Sequence, residues 1–444
     1  MMQVLQKTEN ILFYLLLFFL PTQLGKHFWP DFSFVAGLRV DYLSPTVYVT
    51  DLLIGALFIC WAIRYSLERN SIHNKKQKTI FPFSLFLYVL FSAFLLVTIL
   101  ISDNFLHGLY QLLKFFEFSF LSYYVASTVT RNEQIKKIML AFSCGVILES
   151  ILAVLQSLQQ HSLGGIWYFF GERSFSSVTP GIANTAIDGH LVLRSYGTFS
   201  HPNVLAGFLL ISLMLILYSL ICHSWQKMRS LLIATLFIGT AALLLTLSRI
   251  PIALWFLLLV LSCLTSFRRN SNKQKIQMSI VFGLLVFLLL ILVSPVSSRF
   301  LHSSVAEESV TQREYLLQAA LSQSILHPLF GVGFGNFLPS LGLIHRGFSF
   351  GVLLQPVHNI FILILVETGI VGLAGFLWFL FVTYRRVCSL SHDTKSPWYF
   401  FQMVLLSAVL VLGCFDHYLL TLQQGQLLFS LVVGFSWITL HEKR

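Results

Sequence analysis

The chain has 444 residues, of which 56% are hydrophobic and only 11% are charged. Soluble domains carry about 25% charged residues, so this composition excludes an ordinary soluble enzyme. The net charge of +11 does not indicate nucleic-acid binding, because twenty of the 29 Lys and Arg residues fall in short segments on one side of the apolar runs. That distribution follows the positive-inside rule of membrane proteins.

Apolar runs of roughly 18 residues or more recur along the chain, and each is typical of a transmembrane helix. The first run lacks the small-residue cleavage site of a signal peptide and is therefore interpreted as a span. The sequence predicts an all-α, polytopic helical membrane protein, a single integral membrane domain over 1–444 with about twelve transmembrane helices and both termini in the cytoplasm. The predicted spans are 11–24, 46–63, 81–101, 105–128, 138–159, 203–222, 231–248, 251–267, 276–294, 358–383, 398–416 and 424–440.

With the N terminus inside, each basic segment falls on the cytoplasmic side and each long, weakly basic segment falls outside. The predicted outward segments are 21–45, 102–104, 161–202, 248–251, 295–357 and 416–424. The longest is a large extracytoplasmic loop between spans nine and ten, and such long loops are usually functional. Its residues 311–325 predict an amphipathic helix that lies on the membrane surface or covers a cavity; the apolar positions are Tyr315, Leu316, Ala319, Ala320 and Leu321.

The segment 194–203 reads Arg-Ser-Tyr-Gly-Thr-Phe-Ser-His-Pro-Asn and leads from an outward loop into span six. Pro202 suits the first turn of a helix. Arg194, His201 and Asn203 are therefore expected together where the helix enters the membrane. The alternative is a loop that merely caps the helix.

Arg249 lies in a turn of a few residues between spans seven and eight, at the outer boundary of the membrane or just inside it. Ionisable residues at that depth usually have a partner. The planar fork of an arginine suits a phosphate group. The alternative is an arginine that extends to lipid headgroups.

His358 and Asn359 begin span ten, directly after the large loop. A neutral imidazole there can accept a proton from a hydroxyl, although a histidine that caps the helix is equally compatible. Arg313 and a glycine-rich run over 327–337 precede it in the same loop. The Gly-x-Gly at 333–335 follows no strand and lacks a third glycine, so it predicts a tight turn and not a nucleotide site.

Asp416 and His417 lie at the outer end of span eleven, where the carboxylate is suited to orient an imidazole or an arginine. A simple turn is the alternative. Four ionisable residues fall within spans, and we interpret them as groups that hydrogen-bond between helices, with a proton path left open; they are Lys114, Glu117, Glu149 and Glu367. Neither the six cysteines nor the acidic and histidine spacings predict a metal site or a disulfide framework.

Four motifs, in this order, resemble the O-antigen ligase-like and O-antigen polymerase superfamily of bacterial membrane proteins. They are Arg-x-x-Gly-Thr-Phe-x-His-Pro-Asn (194–203), Leu-Ser-Arg (247–249), Arg-x-x-Tyr followed by His-Pro-Leu-Phe-Gly-Val-Gly-Phe-Gly-Asn-Phe (313–337), and His-Asn followed by Glu-Thr-Gly-Ile-x-Gly (358–372). The resemblance covers roughly residues 190–440, together with the twelve-span layout and the large outward loop.

The resemblance implies an enzyme of the bacterial cytoplasmic membrane that works on its extracytoplasmic face. It implies a metal-independent, inverting glycosyltransferase without cofactors, which moves a glycan from an undecaprenyl diphosphate carrier to lipid A-core or another glycan. On matching positions Arg194 and Arg249 hold the diphosphate and His358 activates the acceptor hydroxyl. Residues expected to contact substrate are Arg313, His201, Asn203, Asn359, Asp416 and His417.

The chemistry of the outer face agrees with this reading, because no ATP or nucleotide sugar is available there and the donor must carry its own energy. Two preorganised arginines can stabilise a leaving diphosphate without a metal. Three alternatives remain open at this point. They are a polymerase that joins lipid-linked repeat units, a transporter or flippase that uses the ionisable residues of the spans, and a scaffold in which Arg194, Arg249 and His358 do not converge.

Overall fold

The computed structural model describes residues 1–35, 37–71, 82–187, 190–222, 225–267, 283–284, 286, 308–341, 354–394 and 396–439. Its helices are α1 (Met2–Phe19), α2 (Val49–Ser71), α3 (Pro82–Leu100), α4 (Phe105–Thr128), α5 (Asn132–Gln159), α6 (Pro202–Cys222), α7 (Arg229–Leu245), α8 (Arg249–Phe267), α9 (Glu308–Leu326), α10 (Phe337–Leu341), α11 (Ile360–Thr394), α12 (Pro397–Phe415), α13 (Tyr418–Thr421) and α14 (Gln423–Trp437).

Eleven of the twelve predicted spans fall on these helices. The predicted ninth span, 276–294, lies almost entirely outside the described residues, as do the ends of the large loop at 295–307 and 342–353. Six of the described helices are long and apolar enough to cross a membrane, namely α2, α5, α6, α7, α11 and α12. The protein is therefore a mostly helical, polytopic membrane protein, while the number of spans and their direction remain predictions.

Six short strands depart from the expected all-helical pattern. All form antiparallel pairs: β1 (Gly25–His27) with β4 (Thr46–Tyr48), β2 (Phe34–Val35) with β3 (Leu38–Arg39), and β5 (Asn184–Ile187) with β6 (His190–Leu193). Five of them lie in segments predicted to face outward, whereas β4 occupies the first residues of the predicted second span. The last hairpin matters for the site, because β6 ends directly before Arg194.

Helix α6 lies at the centre of the bundle and contacts α5, α7, α8, α12 and α14. Its side chains are apolar around the whole circumference, as expected of a helix that is covered on every side. The helix begins at Pro202, whose missing N–H is no loss in the first turn. The motif before it is therefore anchored at the middle of the bundle, near the ends of several other helices.

Lys114 and Glu117 do pair on one face of α4, as their spacing predicts: Nζ lies 3.4 Å from Oε2 of Glu117. The sequence did not reveal the closer partner of Lys114, which is Asp51 of α2 at 2.5 Å. Gln423 of α14 also accepts from Lys114 at 3.1 Å. Charges inside a bundle are retained when they are paired, and this cluster joins three helices near one end of the molecule.

The two other acidic residues of the spans hydrogen-bond mainly to the backbone of loops, whereas the sequence predicts bonds between helices. Glu149 accepts from the backbone N–H and the hydroxyl of Thr198, both at 2.8 Å, and Thr198 lies in a loop. Glu367 accepts from the backbone N–H of Gly335 at 3.1 Å, again in a loop. Both carboxylates satisfy the polar backbone of segments that enter the bundle, where water cannot do so.

The predicted amphipathic helix is present as α9, and its bounds enclose the predicted 311–325. Leu316, Ala319 and Ala320 are buried, whereas Tyr315 and Leu321 are exposed. The buried residues pack on α11 and on Val40 and Leu43 of the N-terminal outward loop. The helix therefore packs against the start of α11, and whether it covers a cavity or lies on the membrane surface stays a prediction.

Helix α11 is interrupted at Gly369, which has φ 66° and ψ −170°. The N–H of Ile370 donates to the carbonyl of Pro328 at 2.9 Å and does not continue the helical ladder; the carbonyl of Val366, which that N–H would have reached, accepts from Val332 at 2.9 Å. The glycine-rich run after α9 thus docks into the break. The backbone of this run passes so close to the backbone of α11 that Gly331 has no room for a side chain. Gly331 also has a positive φ of 68°.

Candidate active site

The segment 194–203 is shaped by side chains of α5. Gln156 accepts from the backbone N–H groups of Tyr196 (3.0 Å) and Gly197 (2.8 Å), and it donates to the carbonyl of Gly197 at 2.9 Å. Gly197 has φ 60°, and a Cβ there would collide with the carboxylate of Glu149. The glycine of this motif is therefore required by the close approach of α5 and by its left-handed backbone.

Arg194 is buried, with 7% of its surface exposed, and it reaches the turn between α7 and α8. Its Nε donates to the carbonyl of Thr246 at 2.8 Å, and its Nη2 donates to the hydroxyl of Ser248 at 3.0 Å. Leu247 between them has φ 52°, an uncommon conformation for a residue with a branched side chain. The arginine thus fixes the tight turn that ends at Arg249, the first residue of α8.

Asn203 connects this turn to the end of α12. Its Oδ1 accepts from Nη2 of Arg194 (2.7 Å) and from the hydroxyl of Ser248 (2.6 Å). Its Nδ2 donates to Oδ2 of Asp416 at 2.8 Å. A single side chain in the first turn of α6 therefore links the arginine to the carboxylate.

Two histidines lie next to Asp416. The rings of His358 and His417 meet edge to face with centroids 5.0 Å apart, and one ligand atom from each histidine and from the carboxylate lies within 4.8 Å of the others. The second oxygen of Asp416 accepts from the backbone N–H of His417 at 2.8 Å. The carboxylate is thus placed to orient or stabilise an imidazole.

Asp416 is ionised at neutral pH. Burial acts to raise its pKa, whereas the amide of Asn203 and the neighbouring imidazoles in their protonated form act to lower it, and the pKa lies below its ordinary value, at about 2. The amide and the backbone N–H of His417 donate to the carboxylate whatever the charge of the imidazoles. These two donors therefore favour the ionised form of Asp416 beside neutral histidines.

The histidines are neutral at the same pH. Burial lowers the pKa of His358, and the positive charge of Arg313 lowers it further, while Asp416 acts in the opposite direction. Burial also lowers the pKa of His417 and of His201, each to about 3. Neutral imidazoles can accept a proton, and within the part of the chain that the structure describes Nδ1 of His358 has no hydrogen-bond partner.

The remaining predicted residues surround this network. His201 accepts from the backbone N–H of Asn203 at 3.1 Å through Nδ1, which places the proton of the neutral ring on Nε2. Asn359 caps α11 by accepting from Phe361 at 2.9 Å, and its amide donates to the carbonyl of Cys414 at 3.0 Å, so it ties α11 to α12. Arg313 lies on the exposed side of α9. Its positive charge lowers the pKa of three histidines, His201, His358 and His417.

Three contributors to the site were not predicted. The ring of Tyr42, in the N-terminal outward loop, meets His417 edge to face at 5.5 Å. Burial raises the pKa of Tyr42, the charge of Asp416 raises it further, and that of Arg173 lowers it. Ser248 lies in the Leu-Ser-Arg motif, in which only the arginine suggests a function from the sequence. No periodic pattern marks Tyr42, in a single 3₁₀ turn (Asp41–Leu43), or Arg173, in a loop, because both lie far from their partners in sequence.

The cluster of His358, Asp416 and His417 also has the donor types of a metal site, two imidazole nitrogens and a carboxylate oxygen. The positive charge of Arg313 near these histidines acts against a divalent cation. Independence from metal therefore stays a prediction.

Comparison with known proteins adds one match: the sequence profile of the O-antigen ligase family fits residues 234–377. These residues include α8, α9 and the first half of α11, with Arg249, Arg313 and His358. The match confirms the resemblance to the O-antigen ligase-like superfamily and indicates a bacterial membrane protein of the kind that transfers lipid-linked glycans, as ligase or polymerase. No curated protein matches the chain.

Proposed function

We propose that this protein transfers a glycan from a polyprenyl (undecaprenyl) diphosphate carrier to a hydroxyl group of an acceptor glycan, at the extracytoplasmic face of the cytoplasmic membrane. The observation that carries the proposal is the continuous network Arg194–Asn203–Asp416 with His358 beside the carboxylate. A scaffold has no need for a buried arginine, a carboxylate and a neutral imidazole to converge from separate loops.

The reaction forms a bond between the acceptor oxygen and the anomeric carbon and breaks the bond from that carbon to the diphosphate. The acceptor hydroxyl gives its proton to an imidazole nitrogen of His358, and the diphosphate leaves with the electron pair of the broken bond. Asp416 stabilises the imidazolium that forms, as an adjacent carboxylate does in other acid–base pairs. Attack opposite to the leaving group inverts the anomeric centre.

The leaving diphosphate needs positive charge. Arg249 stands at the start of α8, directly after Ser248, and Arg313 approaches from α9. Arg194 already donates to Thr246, Asn203 and Ser248 through two of its nitrogens. We therefore assign contact with the diphosphate mainly to Arg249 and Arg313, and to Arg194 the added task of holding the turn that delivers Arg249.

The test is His358→Ala in purified protein, reconstituted in vesicles with a polyprenyl-diphosphate-linked glycan. Loss of a general base costs about 10²- to 10⁴-fold in turnover, so transfer should fall by that amount while the protein stays folded. His392→Ala is the matched control, because His392 is exposed near the far end of α11. Full activity of the first variant would exclude His358 as the base.

The acceptors in this assay decide between the two family reactions. Lipid A-core as the preferred acceptor identifies a ligase, and a second lipid-linked repeat unit identifies a polymerase. A parallel set with a chelator tests the metal-independent reaction, which should keep its rate. Transfer to neither acceptor would contradict the proposed function.

A further inference from the structure

A short 3₁₀ helix at Gly165–Phe170 presents large apolar side chains away from the protein. Ile166, Tyr168 and Phe169 are 68%, 60% and 69% exposed, and they lie outside every predicted span. Large apolar side chains that are exposed side by side mark an interaction site. The segment therefore faces either a lipid surface or another protein.

The position of the segment along α5 favours lipid. Phe170 lines a small cavity together with Leu148 and Glu149 of that helix, and α5 continues for ten residues beyond Glu149. At 1.5 Å per residue this is about 15 Å of helix. The loop after α5 thus folds back alongside the helix and does not rise away from it.

The base of this loop is tightly held. Glu172 is buried and accepts from the backbone N–H groups of Leu163 (2.9 Å) and Gly164 (2.7 Å). Gln156 of α5 donates to the same carboxylate at 2.8 Å. Gly171 packs against the backbone that follows α1. These contacts hold the residues on either side of the tip in place, so the position of the exposed tip is fixed relative to α5.

Helix α5 is itself a candidate membrane span, and it presents Ile151 and Leu158 to its surroundings. These residues are seven positions apart and lie on one face of the helix. The part of α5 that runs alongside the loop therefore also presents apolar side chains. Backbone groups of the tip bond within it, as Gly171 does to the carbonyl of Tyr168 at 3.0 Å, which suits the border of a bilayer.

We propose that the tip Gly165–Phe170 inserts into one leaflet at the border between headgroups and acyl chains, where tyrosine and tryptophan are favoured. The proposal goes beyond glycan transfer and does not depend on it. It has one structural consequence. Gln156 binds both Glu172 and Gly197, so the anchored loop also fixes the height of the segment that contains Arg194.

The experiment places a nitroxide on Phe169→Cys in the full-length protein with its natural cysteines replaced, reconstituted in phosphatidylcholine–phosphatidylglycerol vesicles. Collision with oxygen, which concentrates in lipid, is compared with collision with a water-soluble nickel chelate. Ser174→Cys is the matched control, because Ser174 is exposed in the same loop but lies outside the apolar tip Gly165–Phe170. We expect oxygen to dominate at position 169 and nickel at position 174.

Two results would overturn the proposal. Equal access of the nickel chelate to both positions would place the tip in water. Low access of both reagents to position 169 would show that protein covers it, which would identify a second copy or another membrane protein as the partner. A further label at Ile166→Cys repeats the test should the first substitution disturb the loop.

Discussion

Asp416 organises the chemistry of the site at the scale of single residues. It carries its charge at neutral pH because Asn203 and a backbone N–H donate to it, while burial keeps the neighbouring His358 neutral. A neutral imidazole beside a fixed negative charge is ready to take a proton and is stabilised once it has done so. The direction of each electrostatic contribution to the pKa of His358 leads to a prediction.

Transfer should fall on the acidic side as His358 gains a proton, so the acidic limb of the pH–rate profile reports its pKa. Asp416 raises that pKa, so Asp416→Asn should move the limb to lower pH. Arg313 lowers it, so Arg313→Gln should move the limb to higher pH. The position of the limb is the readout, since Asp416→Asn also lowers the maximal rate.

Arg131→Gln serves as the control for loss of one positive charge, because Arg131 is exposed at the start of α5, beyond the opposite end of that helix from the site. Its profile should match that of the unchanged protein. Shifts of the two test variants in the same direction would mean that the limb belongs to another group.

The polar residues at the ends of spans could be found from the sequence because they interrupt apolar runs. Arg194, Asn203, His358 and Asp416 are such residues; the first, second and fourth are joined by hydrogen bonds, and His358 lies beside the carboxylate. Gln156 could not be found in this way. It is one amide within an apolar helix, and its partners lie about 40 residues away in a loop. Contacts of that separation leave no periodic trace in a single sequence.

At the scale of elements, hydropathy predicts the helices but does not predict the interruption of α11 at Gly369. In the sequence, the motif Glu-Thr-Gly-Ile indicates a family resemblance but not an interruption of the helix. The break depends on an exchange of hydrogen bonds with the loop after α9, in which Ile370 donates to Pro328 and Val366 accepts from Val332. Each of these hydrogen bonds joins two segments that are distant in sequence, so neither can be predicted from one segment alone.

Gly369→Ala should therefore destabilise the protein. The residue has φ 66°, and a Cβ there would collide with the backbone of Leu329, which cannot move aside as a side chain does. Backbone strain of this kind costs on the order of 1–3 kcal/mol, so we expect a lower midpoint of thermal unfolding in detergent and faster proteolysis within 327–336.

Gly55→Ala is the matched control, since Gly55 lies inside α2 with no heavy atom within 4 Å of an added Cβ. Alanine favours a helix by about 1 kcal/mol over glycine, so this variant should be as stable as the parent or slightly more so. Equal unfolding midpoints for the two variants would show that the break tolerates a side chain.

At the scale of the whole molecule, segments predicted to face outward meet at one end. Tyr42 of the first outward loop contacts His417, and Asn336 accepts from the backbone N–H of Asn104 at 2.9 Å. Basic segments predicted to face inward pair elsewhere, as Arg64 does with Glu9 at 2.7 Å. These contacts agree with the two groups of loops that charge parity predicts, and the side on which each group lies stays a prediction.

The side that carries the site decides which donors it can use, and cysteine accessibility tests it. Cys388 is exposed near the end of α11 that is predicted to be cytoplasmic, and Ser174 is exposed in a segment predicted to face outward. One variant keeps Cys388 alone, and the other carries Ser174→Cys alone. A membrane-impermeant maleimide should label position 174 in intact spheroplasts and Cys388 only after permeabilisation, and labelling of both in permeabilised cells is the control. The reverse pattern would place His358 and Asp416 where nucleotide sugars are abundant, and the need for a lipid-linked donor would then lose its physical basis.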